Sequence, residues 1–339
     1  MTAEVHHHDI VVVGASAGGV EALGELVAGL PADLPAAVFV VQHISPGSSG
    51  ALPELLSHRG PLSAAHAIHG EPIVPGRIYV APPDNHLTVR PGFMHVVRGP
   101  RENGHRPSVD ALFRTASTAY GPRVIGVVLT GYLDCGTAGL LSIKARGGKA
   151  IVQDPGEAAA PTMPMSAIQH AEIDHIARLR DIPRLLGRLA REPVGPWPAH
   201  LPGVLGEVEG DEPGVGSEIV CPTCQGRLTE TEVNGFQLFR CHVGHAFSME
   251  SVAAEQAEEV ERALWAAARA LEESATLAGR LAGTRDSGLN QRFAEKAEAQ
   301  MRSAELIRRI LLSGGVLARA DAREAGEAAA GLEHKESPS

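Results

Sequence analysis

The stretch IVVVGASAGGVEALGELVAGL, residues 10–30, opens with an apolar run, passes through a glycine-rich turn and continues with apolar residues at helical spacing. A short run without polar alternation, IVVVGA (10–15), is the pattern of a strand buried on both faces, and GGVEALGELVAGL that of an amphipathic helix. The unit repeats outward. AVFVVQH (37–43), RIYVAPP (77–83), VIGVVL (124–129) and KAIVQD (149–154) read as further strands, and LTVRPG (87–92) and FMHVVRG (93–99) as shorter ones. SVDALFRTASTAYG (108–121), with Ser108 as N-cap, AGLLSIKARGG (138–148), MPMSAIQHA (163–171) and IPRLLGRLAR (182–191) read as helices. Strands alternating with helices over residues 8–190 predict an α/β fold with a doubly wound, mostly parallel sheet of Rossmann-like type.

The remainder of the chain changes character. Residues 191–219 are rich in Pro and Gly and read as a linker. Residues 220–248 form a compact, cysteine-bearing module. Residues 249–315 read as a helical hairpin, with Val252, Val260, Leu264, Ala267 and Leu271 on one stripe and a turn at GTRDSG (283–288). Residues 316–339 read as a flexible tail, and the three histidines of MTAEVHHHDI as a solvated leader.

Composition narrows the classes. The 339 residues carry a formal net charge of −10, which argues against a nucleic-acid binder. No apolar run reaches the roughly 18 residues of a membrane span, and no signal peptide is apparent. Three of the four cysteines are clustered at metal-binding spacing and one stands alone, which suits a reducing cytoplasm. Oligomeric state is not legible.

Two readings compete for GASAGG (14–19). A dinucleotide loop needs a glycine where Ser16 stands, and an acid some 20 residues on; the second strand ends instead in Gln42 and His43. A nucleophile turn, G-x-S-x-G, is satisfied by Gly14 to Gly18. Ser16 would then sit at a helix N-terminus, where backbone N–H groups stabilise an oxyanion. Taken singly, Ser16 fits an ordinary turn and His43 a hydrogen-bonded strand end. Together they follow two strands on the edge of the sheet where such folds bind ligands, and Asp134 and Cys135 follow a third. A serine needs an imidazole base, and the imidazole needs a partner that fixes its tautomer. No H-E-x-x-H pattern supports a metal hydrolase.

GASAGG, VVQHIS, APPDNHL, HRPSVD, VVLTG…GTAG and MPMSAI, in this order, resemble the catalytic domain of CheB-type protein-glutamate methylesterases over residues 8–190. The resemblance implies hydrolysis of γ-glutamyl methyl esters on chemoreceptors or related signalling proteins, with deamidation of certain glutamines and no catalytic cofactor. It implies Ser16 as nucleophile, His43 as base and the backbone N–H groups of Ala17 and Tyr132 as oxyanion hole. Arg106, Ser108 and Asp110 would lie near the substrate, or merely cap the following helix. There are two departures. The family's response regulators begin with a receiver domain, whereas here the catalytic text starts near residue 8. The family motif LTGMGxDG also aligns its acid with Cys135, leaving Asp134 one place early. Asp134 swung toward His43, Cys135 as a thiolate partner, and no third member all remain open. The last would favour a signalling scaffold over an enzyme.

Cys221-x2-Cys224 and Cys241-x3-His245 give a zinc-ribbon pattern around a hairpin turning at Asn234-Gly235, with His242 the competing fourth ligand. A ~29-residue module with so few large apolar groups needs a structural metal to fold. Four protein ligands would leave no open position for chemistry.

Overall fold

The computed structural model describes residues 6–195, 197, 215–233, 235–283 and 287–313. In chain order the elements are β1 (Ile10–Ala15), α1 (Gly19–Ala28), β2 (Ala37–Gln42), α2 (Leu52–Arg59), β3 (Ser63–His66), β4 (Arg77–Val80), β5 (His86–Arg90), β6 (Phe93–Val97), α3 (Val109–Tyr120), β7 (Val124–Val128), α4 (Thr137–Ala145), β8 (Lys149–Gln153), α5 (Thr162–His170), β9 (His175–Ala177), α6 (Ile182–Leu189), β10 (Val215–Val220), β11 (Arg227–Val233), β12 (Phe236–Cys241), β13 (Ala246–Ser248), α7 (Met249–Ala282) and α8 (Ser287–Leu312).

Seven strands form one parallel sheet in the order β3-β4-β2-β1-β7-β8-β9. β1, β2 and β7 are buried at every position, as their unbroken apolar text demands. One apolar cluster lies on each face. Val12, Phe39 and Val41 belong to the first, with Leu112 and Phe113 of α3. Val11, Val13 and Val40 belong to the second, with Leu23, Leu26 and Leu186 of α1 and α6. β5 and β6 form a separate antiparallel hairpin. β2 to β4 lie on one side of β1 and β7 to β9 on the other, so the topological switch lies between β1 and β7. Ligands gather beyond the C-terminal ends of strands at such a switch.

The chain forms two compact units, residues 1–252 and 253–339. The cysteine module therefore belongs to the same compact unit as the sheet, and it starts earlier than its cysteines suggest. β10, whose first five residues fall in the expected linker, pairs with β11 in a four-stranded antiparallel sheet β10-β11-β12-β13. Phe236 of β12 joins the apolar cluster of the parallel sheet. The expected leader is also partly built in: His8 is buried, and the Val194 N–H donates to the His6 carbonyl at 2.9 Å. Asn234, most of the expected linker, the centre of the 283–288 turn and residues 314–339 lie outside the described residues.

In the second unit α7 and α8 pair antiparallel, Gln300 reaching Ser274 and Arg308 reaching Glu272. The buried positions are Ala268, Ala275, Ala278 and Ala304, whereas Val260 and Ala267 of the expected stripe are exposed. Small side chains allow close helix approach, so alanines form this contact and the larger aliphatic groups are displaced from it.

Candidate functional site

β1 ends at Ala15, and the chain turns at once into α1 through Gly18, which adopts a left-handed conformation. Ser16 occupies that turn, half-buried. Its N–H donates to the Thr130 carbonyl at 2.9 Å, which ties the ends of β1 and β7 together. The Ser16 carbonyl accepts from the Gln42 side-chain amide at 2.7 Å, and the same amide group bonds the His43 carbonyl at 3.0 Å. Gln42 therefore holds the serine turn and the histidine in register, a role that its place at the end of an apolar strand does not announce. Gln153 does similar work on the next strand by accepting the Thr130 N–H at 2.9 Å. Gly131 is required by space: a Cβ there would lie 2.8 Å from the Ser16 Cβ and 2.5 Å from the Met163 sulfur.

Ser16 and His43 line one pocket of about 340 Å³, with Ser45, Arg101, His105 and Arg106. Both ring nitrogens of His43 are buried and have no hydrogen-bond partner among the described residues. The ring stacks on His105, with centroids 3.7 Å apart. Burial, and secondarily His105, hold the His43 pKa well below its ordinary value. Burial, with Arg101 nearby, brings His105 down to about 4. Both imidazoles are thus neutral at pH 7, the form a general base requires. Among the described residues neither the Ala17 nor the Tyr132 N–H donates to a protein acceptor, so both remain available to an oxyanion. Arg106 is committed elsewhere, to Asp84 at 2.6 and 2.9 Å and to the Gly99 carbonyl at 2.7 Å.

The expected acid points away from the histidine. Asp134 is buried, and its Oδ1 accepts the hydroxyls of Ser248 at 2.8 Å and Ser251 at 3.2 Å. The geometry does not support a shifted acid. Two serines more than a hundred residues downstream offer bonds that satisfy a buried carboxyl, whereas a turn toward His43 would leave them unpaired. Cys135 is no thiolate either. Its sulfur lies 3.6 Å from the Ser108 hydroxyl, and burial, with Asp110 close by, pushes the thiol well above its ordinary pKa. Ser108 occupies the N-cap position of α3 without a side-chain cap bond. Asp110 caps α4 instead, accepting the Gly136 and Gly139 N–H groups at 3.0 and 2.7 Å and the Asn103 amide at 2.9 Å. Of the loop Arg106–Asp110, only Arg106 reaches the pocket wall.

The Asp134 clasp sets a pH dependence. Burial raises Asp134 to about 7 from an ordinary 3.8. Between those values the folded chain holds a proton that the unfolded chain has released. This carboxyl therefore leaves stability intact below pH ~4 and removes it as pH rises toward 7. Asp134→Asn should consequently raise the melting temperature more at pH 8 than at pH 4.5 and flatten the profile between them. An unchanged profile would assign the slope to other groups.

Cys221, Cys224, Cys241 and His245 place one ligand atom each within 4.8 Å of the others. The Cys224 and Cys241 sulfurs are 3.6 Å apart, and His245 Nδ1 lies 3.5 and 3.7 Å from the Cys241 and Cys221 sulfurs. A tetrahedral ion with metal–sulfur bonds of about 2.3 Å sets its ligands roughly 3.7 Å apart, so the four fit such an ion. His242 is exposed and packs its ring against Gly226. The cluster could hold a metal ion. Cys221→Ser should abolish stoichiometric metal uptake and expose β10–β13 to protease, while His242→Ala keeps the metal.

The family model for CheB methylesterase matches residues 11–186. A protein-glutamate methylesterase/protein-glutamine glutaminase 2 of Anaeromyxobacter dehalogenans is 38% identical over 183 residues, 54% of each chain. A Burkholderia pseudomallei relative is 40% identical over 186 residues, 53% of this chain and 51% of its own. The chain thus spans about half the length of these relatives. A putative protein-glutamate methylesterase/protein-glutamine glutaminase of Leptospira interrogans is 38% identical over 185 residues, 95% of its length. The crystal structure of the Thermotoga maritima CheB methylesterase catalytic domain superposes with TM-score 0.52 at 34% identity, covering 53% of this chain and 98% of that one.

Proposed function

The chain belongs to the CheB methylesterase family, and on that premise we propose that it is a protein-glutamate methylesterase, a carboxylic-ester hydrolase acting on γ-glutamyl methyl esters of chemoreceptor-type signalling proteins, with glutamine deamidation as a second activity. The observation that carries this reading is the pairing of Ser16 with a neutral, unpartnered His43 in one pocket at the switch point of the sheet. A base whose accepting nitrogen has no competing donor is ready to take the serine proton.

In the reaction, the Ser16 oxygen attacks the ester carbonyl while His43 removes its proton. The carbonyl oxygen gains negative charge beside the Ala17 and Tyr132 N–H groups and the N-terminus of α1. The bond to the methoxy group breaks, His43 returns the proton, and methanol leaves. Water, activated by His43, then hydrolyses the acyl-serine and releases the glutamate. An amide substrate follows the same course and releases ammonia. The reaction needs no cofactor. Zinc is the ion we assign to Cys221, Cys224, Cys241 and His245 on their thiolate-rich chemistry, and its role is structural. Reduced thiols in such a cluster suit the cytoplasm.

The engagement of Asp134 with Ser248 and Ser251 favours a second reading, a catalytically impaired relative that binds a signalling partner. The two separate on methanol release from a receptor peptide carrying a γ-glutamyl methyl ester, together with labelling by phenylmethylsulfonyl fluoride. The enzyme releases methanol and carries the label on Ser16. A scaffold binds the peptide and does neither.

A further inference from the structure

We propose that the cysteine module is a strut of the ester site, and that Asn103 is the positioning residue that carries its support to the catalytic loops; this rests on the esterase reading. The chain of contacts starts at the metal ligands. The turn Cys241–His245 is closed by two backbone bonds, from the Cys241 N–H to the His245 carbonyl and from the Gly244 N–H to the Cys241 carbonyl, and Gly244 lies against Pro100, where an added Cβ would come within 3.1 Å. The next residues form β13, which lies along the loop 101–105. The Asn103 N–H donates to the Ala246 carbonyl at 2.7 Å, and the Ala246 N–H reaches the Arg101 carbonyl at 3.4 Å.

Asn103 is buried and uses both ends of its side chain. Its Oδ1 accepts the Ser248 N–H at 2.9 Å, and its Nδ2 donates to Asp110 Oδ2 at 2.9 Å. Asp110 in turn binds the first N–H groups of α4, which fixes the end of the loop that carries Tyr132. A second contact runs in parallel from Ser248 and Ser251 to Asp134 in that same loop. On the other side of Asn103, a tight turn joins Glu102 to His105, whose ring stacks on His43. One module thereby braces both the imidazole stack and the oxyanion loop. A cavity of about 20 Å³ lies among Asn103, Asp110, Ala138, Ala246 and Phe247. A thiolate-bound ion stabilises the module that holds it, so the ion's presence is transmitted to the ester site through Asn103.

The test uses the full-length zinc-loaded protein. Zinc is stripped with a chelator and then restored, and amide hydrogen exchange is followed in both states. The proposal expects residues 101–106 and 131–139 to lose protection together with 215–248 on stripping, and to regain it on reloading, while β1 and β8 stay protected. Loss confined to 215–248 would overturn it. Asn103→Gly, compatible with a backbone φ of +50°, cuts the relay with the metal in place. It should keep one zinc per chain, speed exchange over 131–139, and lower kcat about 10–100-fold with KM changed less than about 3-fold, the size of loss that misplacing reacting groups from a distance produces. Unchanged kcat and unchanged exchange in Asn103→Gly would also overturn it. Coupled exchange in a chain that hydrolyses no ester upholds the strut and removes the esterase reading.

Discussion

Ser16→Ala should lower ester turnover to near the limit of detection, by about 10²-fold or more in a site whose histidine already lacks an acid partner, while peptide binding stays within a few-fold. Loss of the nucleophile in a serine–histidine site removes nearly all of the covalent route and leaves only what binding and the oxyanion donors supply, about 10³–10⁴ over water. The substitution is small and half-exposed, and the Ser16 backbone bonds to Thr130 and Gln42 do not involve the hydroxyl. The fold should therefore be unaffected. Methanol release and peptide affinity, measured together, give the answer. A variant that retains a tenth of the wild-type rate would mean that Ser16 is not the attacking group, and the pocket would have to be reassigned. His43→Ala should fall nearly as far, since the two act as a unit, and the double variant should be no slower than either single one.

The sheet was legible because its central strands are apolar at every position, and only a strand covered on both sides reads that way. β3 and β9 escaped for the converse reason: they are short edge strands, SAAH and HIA, half-exposed and without apolar runs. α2, with its weak apolar face, escaped with them. Ser16 and His43 were legible because each directly follows a strand, and topology alone brings strand ends together. The direction of Asp134 was not, since it depends on Ser248 and Ser251, which reach it only once the module has docked. His105 lies one residue before the loop beginning at Arg106, and nothing in its local text points to His43. Its importance comes from the turn that Glu102 and Asn103 impose. The Cys/His cluster was legible from spacing alone because groups that could share one ion must lie close together, and His242, which is exposed, stands outside it.

Cys135→Asp should raise kcat, by between about 10-fold and the roughly 10⁴-fold that an orienting acid contributes to such a site. The unpartnered nitrogens of His43 are the reason. A buried imidazole nitrogen left unpaired forfeits about 1–3 kcal/mol, and nothing holds the ring in the tautomer that accepts the serine proton. The resemblance in the sequence leads one to expect an acid at position 135, and the side chain there is enclosed beside Ser108. The gain has an opposing cost. Asp110, raised by burial to about 6, is close enough to lift the ionisation of position 135, so a second carboxylate would hold its proton until the pH is well above neutral. The benefit in kcat should therefore grow with pH, and thermal stability should fall as it does. Leu133 adds to the strain of the same loop, with φ of +61°, a conformation that favours glycine, and Leu133→Gly combined with Cys135→Asp should recover part of the lost stability. Cys135→Asn supplies the control: similar in size and without charge, it should leave kcat near the wild-type value. Equal rates for the aspartate and asparagine variants at pH 8 would mean that position 135 does not reach His43, and that this site turns over without an acid partner.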